Sequence, residues 1–187
     1  MAQVVAAGID TLNVGFNVDG WNLDESAFRQ LDDAKLAAGV HQFGGKGVTV
    51  SLGGREFCLL AKGAMRHEYV MYNDDIRLGL ARECHGGLYF PEVYVQMNSS
   101  FLWGKGYLQA FAELLSWLCG LASVGGEKMS RVDLCVDVAT ELPRLDVARE
   151  AVTRARNKVD YFEVEHYTQG RRDTGYRFGS GRVMARL

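Results

Sequence analysis

The sequence predicts an α+β fold: a central twisted antiparallel sheet with helices packed on one face and an open, acid-bearing second face. Three observations predict it. Short runs of apolar alternation with a period of two recur between Leu12 and Met97. Helical periodicity is confined to a few longer stretches, without strict β-α alternation. A later strand-like run, Ser130-Arg131-Val132-Asp133-Leu134-Cys135-Val136-Asp137-Val138, carries two acids on a single face.

Leu12, Val14, Phe16 and Val18 alternate with polar or small residues and form a first strand. Asp24 can cap a helix from about Ser26 to Ala38, with Phe28, Leu31 and Lys35 on one stripe and Gly39 as its stop. Val48 to Leu52 and Phe57 to Ala61 flank Gly53-Gly54, a two-residue hairpin signal. Tyr69 to Tyr72, Ile76 to Ala81 and Val93 to Met97 add three more strands. Ser99 or Ser100 opens the longest helical pattern, which reaches about Leu121 through Leu108, Phe111, Ala112, Leu115, Leu118 and Cys119. Trp103 and Trp117 on it read as core. Gly104-Lys105-Gly106 softens its start.

The acid-bearing strand follows. Val132, Leu134, Val136 and Val138 share one face and read as core. Asp133, Cys135 and Asp137 share the other, where buried carboxylates need a metal, a basic partner or water. The plainer reading is a half-exposed antiparallel strand, apolar inward and polar outward. Leu145 to Asn157 is an amphipathic helix with Val147, Ala148, Ala151 and Ala155 inward. Tyr161 to Tyr167 and Gly175 to Phe178 read as strands, and Arg182 to Leu187 begins another.

A length of 187 residues, 48% hydrophobic and 24% charged, fits one soluble globular domain spanning 1–187. No apolar run approaches the roughly 18 residues of a membrane span, and the start lacks the basic region of a signal peptide. A cytoplasmic location with reduced thiols is expected, with no membrane partner. Cys58, Cys84, Cys119 and Cys135 are too widely spaced for a zinc ribbon, and each reads as a small core residue. The four histidines are scattered over surface or loop positions, so no histidine-hydrophobic-histidine metal motif exists. Gly44-Gly45-Lys46-Gly47 fails the spacing of a phosphate-binding loop.

A net charge of −2 excludes a uniformly basic nucleic-acid binder. The distribution differs. Between His166 and Leu187 five arginines (Arg171, Arg172, Arg177, Arg182, Arg186) face a single acid, Asp173. Such a basic stretch is the footprint of a phosphate-binding surface, although edge strands also use cations to deter aggregation. Gly179-Ser180-Gly181 is a tight turn whose amides and Ser180 hydroxyl can meet a phosphate.

Three segments together resemble the rolling-circle replication initiators of the Rep_trans type, carried by plasmids and phages and related to some relaxases. They are Gly8-Ile9-Asp10-Thr11-Leu12-Asn13-Val14, the run from Ser130 to Asp137, and Thr174-Gly175-Tyr176-Arg177-Phe178-Gly179-Ser180-Gly181-Arg182 with Met184-Ala185-Arg186-Leu187. The resemblance implies metal-dependent, strand-specific DNA nicking at an origin hairpin or single strand. An active-site tyrosine would stay joined to the 5′ phosphate. It implies Asp133 and Asp137 as the metal region with Mg²⁺ or Mn²⁺, and Arg171, Arg172, Arg177, Ser180, Arg182 and Arg186 as DNA contacts. In the family pattern the nucleophile comes after the position of Leu187, where this sequence stops. The chain therefore reads as an N-terminal fragment, inactive in covalent joining. Tyr161, Tyr167 and Tyr176 read as strand aromatics rather than substitute nucleophiles.

Two aspartates four residues apart on a flat strand lie about 13 Å from each other. They cannot both ligate one ion without a bulge, so one would bind it while the other orients an arginine or water. Glu163 or Glu165 on a neighbouring strand could complete the site. A homodimer is compatible with an initiator. The alternative to a nickase is a non-enzymatic DNA-binding module of related fold, with affinity independent of metal and falling steeply with salt.

Overall fold

The computed structural model describes residues 3–40, 47–64, 66–85, 90–139, 165–169, 172–178 and 185–186, with side chains described in the interval 4–136. The chain divides into two compact units, one of Ala7–Leu134 and one of Met1–Ala6 with Cys135–Leu187. The elements in order are β1 (Gln3–Trp21), α1 (Glu25–Val40), β2 (Val48–Leu52), β3 (Arg55–Leu59), β4 (Tyr69–Tyr72), β5 (Ile76–Leu80) and β6 (Val93–Met97). Then come α2 (Ser99–Lys105), α3 (Tyr107–Leu121), β7 (Ala122–Ala139), β8 (Glu165–Gln169), β9 (Arg172–Phe178) and β10 (Ala185–Arg186).

The α+β expectation holds. A seven-stranded antiparallel sheet runs β2-β3-β4-β5-β6-β1-β7. Strands β2 to β6 form a local meander. Strand β1 is then inserted between β6 and β7, both distant from it in sequence. The β2–β3 hairpin turns on Gly53 and Gly54, with φ of 54° and 77°. Both residues are left-handed, as a tight two-residue turn requires.

One sheet face is apolar. Leu12, Val14, Phe16 and Val18 of β1 join Val93, Val95 and Met97 of β6, Ile76, Leu78 and Leu80 of β5, and Tyr69 and Met71 of β4. The helices complete this core with Phe28 and Leu31 of α1, Phe101 and Leu102 of α2, and Ala110, Leu114, Leu118 and Leu121 of α3. Helix α1 starts as its sequence demands. The Asp24 carboxylate accepts from the Ala27 N–H at 2.9 Å and from the Ser26 hydroxyl at 2.8 Å. These bonds, the Ser26 one foremost, hold its carboxyl below the ordinary value.

Several expectations are corrected. The long helix is two, broken at Gly106, whose φ of 79° no helix interior accepts. Gly39 does not stop α1, which continues to Val40. Trp103 is exposed and donates its indole N–H to the Ile9 carbonyl at 2.9 Å, so it is not core. Trp117 is only partly buried and donates to the Gly53 carbonyl. No cysteine is a core residue: Cys119 is exposed and the others are half-buried. His67 is buried, not superficial, with its Nε2 3.0 Å from the Pro91 carbonyl oxygen.

The largest correction concerns β7. Its alternation is as read, but its burial is inverted. Val132, Leu134 and Val136 are 41%, 77% and 57% exposed, whereas Arg131, Asp133 and Cys135 are half-buried. The apolar row therefore does not join the core. Strand β7 lies at the edge of the sheet, where core-facing alternation is not enforced from both sides. The expected helix from Leu145 to Asn157 lies outside the described residues. In the other unit β9 is the middle strand of a β10-β9-β8 sheet, with a bulge between Tyr167 and Thr168.

No described helix is long and apolar enough to cross a membrane.

Candidate functional site

Two of the motif-bearing segments are neighbours in space. Strands β1 and β7 adjoin, and the Ser130 hydroxyl donates to the Asn13 carbonyl oxygen at 3.3 Å. Asp133, expected in the metal region with one of the two acids orienting an arginine or water, pairs with an arginine of its own strand. Arg131 Nε donates to Oδ1 at 2.9 Å and Nη2 to Oδ2 at 2.6 Å. A two-residue offset puts both side chains on one face of the strand, which allows this forked pairing. Both carboxylate oxygens are thus engaged. Among the described residues no group of three or more carboxylate, histidine or cysteine side chains could hold an ion. A divalent ion at Asp133 would need further ligands from outside the residues whose side chains are described.

The backbone of Asp137 lies in β7, while its side chain is outside those described. The same holds for Arg172 and Arg177 in β9 and Arg186 in β10. Arg171, Ser180, Arg182 and Glu163 fall outside the described residues. The β-register is informative all the same. Arg177 is the partner of Glu165 on β8 and of Arg186 on β10.

Sequence reasoning missed a feature of the sheet face opposite the helices. One register row crosses five strands: Cys58, Tyr72, Arg77, Gln96 and Asn13 are successive partners from β3 to β1. The adjacent row holds Val70, Gly79, Tyr94 and Gly15. Its glycines make room for two loops. A Cβ on Gly15 would lie 2.5 Å from Pro91 Cγ, and one on Gly79 would lie 3.0 Å from His67 Cγ. The loops thus sit on the glycine row and leave the polar row alongside it. Tyr72 and Arg77 are exposed, and Gln96 is half-buried.

Asn13 is only 4% exposed, and its Oδ1 is the one buried side-chain polar atom among the described residues without a hydrogen-bond partner. Only part of the signal was present in the sequence. The alternation places Asn13 on the face opposite Leu12 and Val14, and only the flanking of β1 by β6 and β7 makes its burial unusual. A hydrogen bond with Cys58 raises the Tyr72 phenol above the usual tyrosine value.

A second cluster ties the helix layer down. The Tyr69 hydroxyl donates to Asp32 at 2.7 Å, Arg82 Nη1 donates to the same carboxylate at 2.9 Å, and Arg82 also pairs with Glu25. Burial, then the Asp32 bond, pushes the Tyr69 phenol well above its ordinary value. This group fastens α1 to β4 and the segment after β5. It is built for rigidity rather than chemistry.

Fold and sites together define an antiparallel α+β protein with a polar, partly aromatic sheet face. No family model, curated protein or solved structure matches the chain.

Proposed function

We propose that the chain is a DNA-binding domain of a rolling-circle replication initiator of the Rep_trans type, whose activity is strand-specific nicking through a tyrosine with a divalent ion. The observation that supports this reading best is the meeting of two resemblance-bearing segments. Asn13 of the first touches Ser130 of the second, on adjacent strands, although 117 positions separate them. The basic segment supports it too, because five arginines against one acid between His166 and Leu187 are the footprint of a phosphate-binding surface. DNA, as an origin hairpin or single strand, is the partner proposed.

An ion at Asp133 competes with Arg131 for the carboxylate, and an Arg131 drawn to a DNA phosphate leaves it freer to bind metal. Metal and DNA binding should then be coupled. The test is anisotropy of a labelled hairpin oligonucleotide, titrated with the chain in the presence and absence of Mn²⁺. Binding that tightens with Mn²⁺, loses this response in Asp133→Ala and weakens in Arg177→Ala supports the initiator. Binding that ignores Mn²⁺ and Asp133→Ala favours the metal-independent DNA-binding module. No hairpin affinity even at low salt overturns both.

A further inference from the structure

We infer that the polar row on the sheet face opposite the helices, exposed at Tyr72 and Arg77 and closing over Asn13, is a docking platform for single-stranded DNA, with Tyr72 stacking a base, Arg77 meeting a phosphate and the Gln96–Asn13 amides contacting a base edge. The choice of polymer rests on the DNA reading above. The platform itself rests on other atoms and other observations: the Asn13 side chain, where the DNA reading uses the Asn13 backbone carbonyl.

The first observation is the orphaned side-chain amide oxygen of Asn13. Its Oδ1 is buried without a donor, a state that costs stability and that a folded chain rarely keeps. It lies in β1, register-paired with Gln96, whose amide can donate as well as accept. A base presents donors and acceptors on its edge, and a carbonyl next to an amide matches both. The second observation is the company in the row. Tyr72 is exposed and at the register position beside Arg77. Arg77 is exposed too, and a planar guanidinium suits a phosphate oxygen pair. The row extends over three strand spacings from Tyr72 to Asn13, about 14 Å. The third is relief. The His67 and Pro91 loops occupy the glycine row next to it, so the polar row forms the floor beside a raised rim. Aromatic side chains with nearby cations are what sequence-tolerant single-strand binders use.

The row binds single strands rather than duplex, because a tyrosine can stack only on a base that has left its pair. Admitting a donor to Asn13, 4% exposed in the free chain, requires its surroundings to open on binding. Without a ligand the amide is a liability, and this gives the test its discriminating arm. Asn13→Leu removes the orphaned group at similar volume. It should raise the melting temperature while weakening DNA, a pair of effects that a merely structural asparagine would not produce.

The probe is a labelled oligothymidylate of about ten nucleotides, followed by anisotropy at several salt concentrations. Tyr72→Ala should weaken binding about tenfold, the loss of one stacked base, and Tyr72→Phe should restore it. Arg77→Ala should lower the salt slope by about one. Asn13→Leu should melt higher and bind more weakly. Both Tyr72 and Arg77 are exposed, so those variants fold whatever becomes of Asn13. If the chain binds the oligonucleotide and all three substitutions leave affinity unchanged, the platform is wrong. If the chain ignores oligothymidylate, the platform is equally wrong. In either case the hairpin and Mn²⁺ experiment with Asp133 and Arg177 still decides the initiator reading, since none of those residues belongs to the row.

Discussion

Replacing Gly15 with alanine tests how the loops sit on the sheet. In an open strand the change should help, because glycine in a strand interior costs about 0.5–1 kcal/mol relative to alanine. Here the new methyl would stand 2.5 Å from Pro91 Cγ and 2.8 Å from Pro91 Cβ. The ring must retreat by about 1 Å to regain ordinary contact, and overpacking of this kind costs about 1–3 kcal/mol. The retreat also strains two neighbouring hydrogen bonds. The Pro91 carbonyl faces His67 Nε2 at 3.0 Å, and the buried Glu92 carboxylate accepts from the Val18 N–H at 2.9 Å. Stretching one such buried bond adds about 1–3 kcal/mol. The balance is a loss of about 3 kcal/mol, or roughly 10 °C in melting temperature for a chain of this size. Thermal denaturation followed by circular dichroism reads it. Gly20→Ala on the same strand is the control: nothing lies within 4 Å of its added Cβ, so it should melt unchanged or slightly higher. Equal stability of Gly15→Ala and the parent chain would refute the packing argument.

Three further expectations concern stability. Tyr69 has its phenol raised from 10.0, so its share of stability is complete below pH 10 and is lost as pH rises past that value; urea midpoints of Tyr69→Phe should show a shallower alkaline decline than the parent chain. Gly53→Ala combines a φ of 54° with a Cβ only 2.7 Å from Leu121 Cδ2 and Trp117 Nε1, and should cost about 2 kcal/mol in urea denaturation, more than Gly54→Ala, where nothing lies within 4 Å. Asp24→Ala should lower the melting temperature at neutral pH. Since the Asp24 carboxyl is held below 3.8, that difference should fade as pH falls through and below this value.

The strands of the meander were legible because each carries its own turn chemistry. Gly53-Gly54 sets one hairpin, and Asn73 sets the next by accepting at Oδ1 from the Asp75 and Ile76 N–H groups. Helix α1 was legible through Asp24. The helix break was not, because periodicity continues across Gly106 and only a positive φ shows the interruption. The face of β7 was misread for a different reason. Its alternation fixes which residues share a side, but the side that is covered depends on neighbours that the local sequence does not encode. Asp133 was singled out correctly as unusual, yet its partner, Arg131, was two residues away and was read as part of a motif. The polar row escaped notice because Tyr72, Arg77, Gln96 and Asn13 are scattered over 84 residues and meet only through strand register.

The position of β1 has a kinetic consequence. Its Leu12 pairs with Met97, and its Asn13 meets Ser130, while every pairing among β2 to β6 is made between consecutive strands. Loop closure over such spans is slow compared with hairpin formation. The meander can therefore assemble while β1 still waits, its four core side chains Leu12, Val14, Phe16 and Val18 uncovered. The strand that precedes the others in the chain is among the last to be enclosed. During that interval this stretch, more than any surface of the finished fold, is where the chain is exposed to pairing with the wrong partner.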